Sequence, residues 1–186
     1  PGSGKTSLAQ VVANKTDAEF IKLNAVTSGV QDIRDVIDKA ENNIKMYNSK
    51  TILFIDEIHR FNKSQQDALL PAVEEGIVIM IGATTENPYF EVNSPLLSRS
   101  QVYKLTELEK KDIIKILKRA IKNEKRGLGE YKIDYDQNVL KYITNLADGD
   151  ARTALNILEM AVLTTPPGSD GSISLTKKIV ANSAQE

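Results

Sequence analysis

Thr51-Ile52-Leu53-Phe54-Ile55-Asp56-Glu57 is the stretch on which the fold turns. An unbroken apolar run of this length is too short for a core helix and shows no alternation. It reads as a strand buried on both faces of a parallel sheet, ending abruptly in two carboxylates. Parallel strands need crossovers, and the flanking sequence supplies them. Upstream, Ile33, Val36, Ile37 and Ala40 recur at helical spacing, and Phe20-Ile21-Lys22-Leu23 before them is a short strand. Further upstream, Thr6 to Lys15 carries Leu8, Val11 and Val12 at the spacing of a helix with one buried face. Downstream, polar Asn62 to Gln66 opens a helix that stops near Gly76. Ile77 to Ile81 follows as a second buried strand, and Gln101 to Leu105 as a third, edge-like one. Strands alternating with helices predict an α/β fold, a mostly parallel sheet with helices on both faces.

The pattern changes after Leu105. Residues 107–126, 136–147 and 150–164 read as helices with no strong strand between them, and Pro166-Pro167-Gly168-Ser169-Asp170-Gly171 is a turn or linker. Ser172 to Leu175 and a last helical start follow. Two domains are expected: a core over residues 1–105 and a small all-helical domain over 106–186.

Composition narrows the classes. The 186 residues are 41% hydrophobic and 26% charged, which excludes a disordered chain, and the absence of cysteine excludes disulfides and thiolate metal sites. A net charge of −1 gives no global attraction to nucleic acid or to an anionic membrane, so any such role needs a local patch. The longest apolar stretch, Ile77 to Ala83, falls far short of a membrane span, and no basic, apolar leader opens the chain. A cytoplasmic protein without a membrane partner is the expectation.

Pro1-Gly2-Ser3-Gly4-Lys5-Thr6 matches the last six positions of the phosphate-binding loop G-x-x-x-x-G-K-[ST]. Glycines let backbone N–H groups curl around phosphate, and the positive end of the following helix adds to the attraction. Gly2, Ser3, Gly4, Lys5, Thr6 and Ser7 are the expected cradle for ATP, with Lys5 on the β and γ phosphates and the Thr6 hydroxyl on Mg²⁺. The acid pair completes the set. Asp56 would support the metal from the strand end, and Glu57 would orient or deprotonate the attacking water. Ile79 to Asn87 adds a strand ending in Thr84-Thr85, small hydroxyls able to reach the γ-phosphate or the water. The bland readings are a Gly-rich turn before a helix and a strand-terminal cap, both outweighed by the match. For the Thr84-Thr85 pair taken alone, a turn or strand residue is the commoner reading until its order in the chain is considered.

Longer strings carry a resemblance. Phe54-Ile55-Asp56-Glu57-Ile58-His59-Arg60-Phe61-Asn62-Lys63, Gln65-Gln66-Asp67-Ala68, Gly82-Ala83-Thr84-Thr85-Glu86-Asn87-Pro88 and Leu96-Leu97-Ser98-Arg99 resemble AAA+ ATPases. Within that superfamily they resemble the replication-associated recombination protein A (MgsA) family, relatives of the Werner-helicase-interacting ATPase. The resemblance implies an oligomeric Mg-dependent ATPase, tetrameric in full-length members, working on single-stranded or forked and gapped DNA with replication proteins, and nucleoid-associated. It places Thr85 at the first sensor position, makes Arg99 the arginine finger that reaches a neighbouring subunit's nucleotide, and puts Arg152, in Gly149-Asp150-Ala151-Arg152, at the second sensor of the helical lid. Against the family pattern the chain lacks the first loop glycine and the strand before it, and stops where the oligomerising domain would begin. Residues 1–186 alone are therefore expected to fold poorly and bind ATP weakly. Competing readings are a clamp-loader or branch-migration motor subunit, a non-hydrolysing nucleotide-gated scaffold, and a small-molecule P-loop kinase.

Three further features read as structural. His59, the only histidine, reads as a packed or capping residue, and Tyr89-Phe90 as core or hinge packing. From Lys110 to Arg126, Ile113, Leu117, Ala120 and Ile121 share one helical face, with Lys111, Lys115, Lys118, Lys122 and Arg126 opposite. That basic stripe reads as a solvated face, with a DNA phosphate contact as the alternative.

Overall fold

A computed structural model describes residues 2–184; Pro1 of the phosphate-loop match and the last two residues of the expected helical domain lie outside the described residues. The chain divides into two compact units, Gly4–Lys104, and Leu105–Glu186 together with Pro1–Ser3.

In the first unit β1 (Glu19–Asn24), β2 (Thr51–Asp56) and β3 (Val78–Gly82) form an all-parallel sheet in that order. β2 is central because its run of apolar residues can be covered on both faces: Ile52, Leu53, Phe54 and Ile55 are fully buried. Each contributes about 1.5–3 kcal/mol by leaving water. Successive side chains alternate between the faces. Phe54 meets Ala9 of α1 (Lys5–Thr16), while Leu53 and Ile55 pack with Ile33, Val36 and Ala40 of α2 (Val30–Tyr47) and Leu69 and Ala72 of α3 (Lys63–Glu74). Helices on both faces are what the sequence pattern predicts. Two short helices, α4 (Pro88–Glu91) and α5 (Ser94–Ser98), follow β3.

Four local expectations are corrected. The buried face of α1 is not Leu8, Val11 and Val12, of which Leu8 is 54% exposed, but Ala9 and Ala13. Small residues let the helix backbone approach the bulky Phe54 and Phe20, which stack with centroids 6.0 Å apart. β3 is only partly buried, with Ile79 exposed, because among the described residues it pairs with β2 alone. Gln101 to Leu105 forms no strand; among the described residues no neighbour takes its backbone groups, and Val102 and Tyr103 face solvent. Tyr89 and Phe90 are not core residues: Asn87 accepts a hydrogen bond from Tyr89 N (3.1 Å) to start the single turn of α4, whose outer side they occupy, Phe90 at 85% exposure.

The second unit holds α6 (Lys110–Lys122), β4 (Lys132–Tyr135), α7 (Gln137–Ala147), α8 (Ala151–Leu163), β5 (Ser172–Leu175) and α9 (Lys177–Ser183). Ile113 and Leu117 of α6, Leu140 and Ile143 of α7, Ala154 and Leu158 of α8 and Val180 of α9 converge in one core. Asp136, Asp150 and Thr176 cap α7, α8 and α9 through side-chain oxygens, each satisfying a first-turn N–H. The unit is helical as expected, with one addition: β4 and β5 form a two-stranded parallel ladder. Strands of four residues carry too little periodicity to read from sequence. Helix α6 also stops at Lys122, so Arg126 lies in the turn beyond it and not on the helical stripe.

Candidate functional site

Main-chain bonding at the strand tips aims the acid pair. Ala25 N, just past β1, donates to Asp56 O (3.0 Å); Ala83 N, just past β3, donates to Ile55 O (2.9 Å); and Ile58 N donates to Ala83 O (3.0 Å). Held from both sides, the chain turns sharply at Glu57, whose φ of 56° lies in the left-handed region. For a non-glycine residue that costs about 1–2 kcal/mol, which the surrounding bonds impose. The Asp56 carboxylate ends β2 with Lys22 Nζ 3.2 Å from its Oδ2.

His59 joins the two tips. Its Nε2 lies 3.4 Å from Glu57 Oε2 and its Nδ1 2.8 Å from Thr84 Oγ1, and the ring is nearly enclosed, at 9% exposure. The Thr84 hydroxyl also accepts from Glu86 N (3.0 Å). The sequence reading of His59 as packed holds for its burial and misses its connections, because Thr84 is twenty-five residues away and nothing local announces the contact. Of the threonine pair, Thr84 is the one engaged; Thr85 stands exposed at the bend, without a side-chain hydrogen bond among the described residues.

Helix α1, which starts directly after Gly4, lies on the same sheet. Ala9 packs against Phe54 and Ala83 at the strand exits, and after α1 the chain turns at Asp17 to enter β1 at Glu19, so α1 begins at the tips and runs back from them. Lys5 and Thr6, one turn before Ala9, therefore lie toward the strand ends, the side on which β2 finishes in Asp56 and Glu57. Gly4 is the N-cap with φ 86°, and neither a capping side chain nor a first-turn acid occupies the N–H groups there. That leaves the positive helix end open to an anion. Gly2 also has positive φ, 64°; Lys5 and Thr6 are half-buried, and Ser7 is exposed.

Arg99, at the end of α5, pairs with Glu74 of α3 (Nη2 to Oε1, 2.6 Å) and donates from Nη1 to Pro95 O (3.0 Å) and Ser98 Oγ (3.1 Å). Its segment is positioned by a buried amide. Gln66 Nε2 donates to Phe61 O (3.1 Å) and Glu91 O (3.0 Å), and its Oε1 accepts from Asn93 N (2.7 Å). Asp67 Oδ1 accepts from Asn93 Nδ2 (2.7 Å). A fully satisfied buried glutamine fixes what packing alone would leave loose. The sequence shows these residues only as part of a resembling string; their role lies in tertiary contacts.

In the other unit, Arg152 is exposed in the first turn of α8, where Asp150 Oδ1 accepts from Arg152 N (2.7 Å) and Thr153 N (3.0 Å).

Among the described residues no three acidic, histidine or cysteine side chains are gathered into a metal cage. The chemistry of Asp56 and Thr6 fits Mg²⁺ all the same. That ion keeps its waters and is held by one or two protein oxygens plus the phosphates of its nucleotide.

An all-parallel sheet with a glycine-capped helix and a carboxylate pair at one set of strand ends defines an α/β protein of the P-loop nucleotide-binding class. Comparison with known proteins sharpens this. The model of the ATPase family associated with various cellular activities (AAA) matches residues 1–124, and an AAA C-terminal domain matches residues 129–186. The chain belongs to the AAA family. It is 51% identical over 162 residues to replication-associated recombination protein A of Haemophilus influenzae, covering 87% of this chain and 36% of that protein. It is 52% identical over 162 residues to ATPase WRNIP1 of Dictyostelium discoideum, covering 87% of this chain and 18% of that one. The chain thus spans about a third or less of the length of these relatives. Among solved structures it is similar to the Thermotoga maritima RuvB Holliday junction branch migration motor, with TM-score 0.74 and 25% identity, over 100% of this chain and 58% of that chain. The fold expected from the sequence and the resemblance to the recombination protein A family are both borne out. No helix of the described residues is long and apolar enough to cross a membrane.

Proposed function

We propose that this chain binds ATP with Mg²⁺ and hydrolyses it, as the motor portion of an oligomeric protein that acts on DNA during replication and recombination. What supports the reading is the packing of Ala9 of α1 against Phe54 and Ala83, which directs the start of α1, with Lys5 and Thr6, toward the strand ends that carry Asp56 and Glu57. Gly2, Ser3, Gly4 and Ser7 would line the phosphates, Lys5 would neutralise them, and Thr6 and Asp56 would hold the metal, whose charge would offset that developing on the phosphates. Glu57 orients and deprotonates the attacking water, and Thr84 and Thr85 stand at the tip of β3 beside it. Arg99 would leave Glu74 to serve a neighbour's nucleotide, and Arg152 would read phosphate from the helical unit; both guanidiniums stay charged at any working pH. The relatives named for replication-associated recombination support the DNA role, and a cytoplasmic, nucleoid-associated setting is part of the same proposal. The test is phosphate release by the full-length protein: Lys5→Ala should abolish nucleotide binding, and Glu57→Gln should keep binding while stopping turnover. Release that survives both substitutions would end the proposal.

A second reading, a branch-migration motor subunit, is favoured by the likeness to the RuvB motor. DNA-stimulated hydrolysis measured with and without a sliding clamp separates it from a clamp loader.

A further inference from the structure

The cations of α6 divide into two sets. In its first half Lys110 donates to Asn145 Oδ1 (2.8 Å), Lys111 pairs with Glu109 (2.6 Å) and Lys115 with Asp112 (2.9 Å). Beyond them, Lys118, Arg119, Lys122, Lys125 and Arg126 have no acidic partner among the described residues, and Glu124 is the only acid within residues 118–126. In a chain of net charge −1 this is segregated positive charge.

The turn after α6 is built to hold that charge in place. Asn123 Oδ1 accepts from Lys125 N (3.0 Å) and Arg126 N (2.8 Å), Leu128 N donates back to Ala120 O (2.8 Å), and Gly129 N donates to Asn123 O (3.1 Å). The backbone doubles back so closely that a Cβ on Gly127 would fall on the Ala120 carbonyl, and one on Gly129 would lie 2.7 Å from Glu124 N. Lys125 and Arg126 thus sit in a tight turn directly after Lys118, Arg119 and Lys122, and the other face of the helix is locked into the core by Leu117 and Ile121. Lys118, Arg119, Lys122 and Asn123 line a shallow open depression.

We propose that the end of α6 and the turn after it contact the phosphate backbone of a nucleic acid, independently of base sequence. The occupant follows from what the patch lacks. Of the large apolar side chains exposed among the described residues, none falls between Leu105 and Leu146, so the surface offers neither the aromatic or apolar anchor on which protein interfaces rest nor the apolar face of a membrane-surface helix. Lysine and arginine held at a turn's spacing, without neighbours that neutralise them, suit a regularly charged polyanion. The inference rests on the DNA reading above and names the surface that meets the strand.

The test measures affinity of the full-length protein for a labelled single-stranded oligonucleotide as a function of salt. Lys118→Glu, Lys122→Glu and Arg126→Glu together should weaken binding about tenfold or more and lower the slope of log affinity against log salt by about 2, since each phosphate contact on a single strand contributes about 0.7. Lys111→Glu with Lys115→Glu, on the paired half, should cost far less, and Lys118→Arg with Lys122→Arg should retain binding. The melting temperature of each variant reports that it is folded. Binding by the parent that the triple reversal leaves unchanged would overturn the α6 assignment alone; a parent that binds no oligonucleotide would overturn the DNA reading as well. Lost affinity for poly-glutamate with unaltered DNA affinity would assign the patch to an acidic protein partner instead.

Discussion

Gly4–Lys104 leaves Leu8, Val11, Val12, Ile79, Tyr89, Phe90 and Tyr103 among its exposed large apolar side chains, whereas Leu105–Glu186 exposes only Leu105, Leu146, Met160 and Leu163 among the described residues. The helical unit closes on itself because each amphipathic helix turns its stripe to one shared centre, and α7, α8 and α9 are capped at their starts. The α/β unit is organised by its sheet, whose order ends at β3 and whose helix α1 buries alanines while facing larger side chains outward. Chemistry is distributed accordingly. In the α/β unit the candidate groups stand where strand ladders run out and the main chain must turn; in the helical unit they stand on solvent faces.

The sharpest way to break this contrast is at Glu57. Glu57→Gln should lower turnover by about 10²–10⁴, the usual worth of a general base, with ATP affinity preserved; equal turnover would remove the strand tip from the chemistry. Next in size are the cores. Leu158→Ala, in the closed helical core, should cost about 2–5 kcal/mol in denaturant unfolding, while Leu8→Ala on the outer side of α1 should stay within about 0.5 kcal/mol. Comparable losses would mean that α1 is covered in solution.

His59→Ala should lower kcat about tenfold, the worth of one hydrogen bond, with KM for ATP held, because it frees Glu57 from Thr84. A change confined to KM or to stability would leave His59 a packing residue. The smallest effect concerns the β4–β5 ladder. Hydrogen bonds from Ser172 and from Lys132 lower the Asp170 carboxyl from its usual 3.8 to about 2. A depressed carboxyl stabilises the fold above its unfolded value and loses that contribution as pH falls through the folded one. Between pH 4 and 2 the parent should therefore lose a small increment of melting temperature that Asp170→Asn, lacking it throughout, does not. Parallel acid curves for the two proteins would show that the Asp170 carboxylate adds nothing to the stability of the ladder.

Most of the strands and helices were legible because burial on two faces and burial on one stripe leave different periods, and β2 and α6 show each clearly. The glycine turn and the acid pair were legible because their residue types are required locally. Orientation was not. Leu8, Val11 and Val12 have the spacing of a buried face, yet Ala9 and Ala13 win it because the Phe54 ring on the sheet leaves room only for small residues. Tyr89 and Phe90 are apolar enough for a core that the single turn of α4 does not reach.

By itself, then, the sequence determined the class: an all-parallel α/β unit with a phosphate-type glycine turn and a strand-end acid pair, followed by amphipathic helices. Only the tertiary structure decided that His59 bridges Glu57 and Thr84, that Gln66 braces the segment carrying Arg99, and which cations of α6 remain unpaired. Periodicity and caps are set within a few residues of chain, whereas these contacts join positions brought together only when the strands align and the turns close.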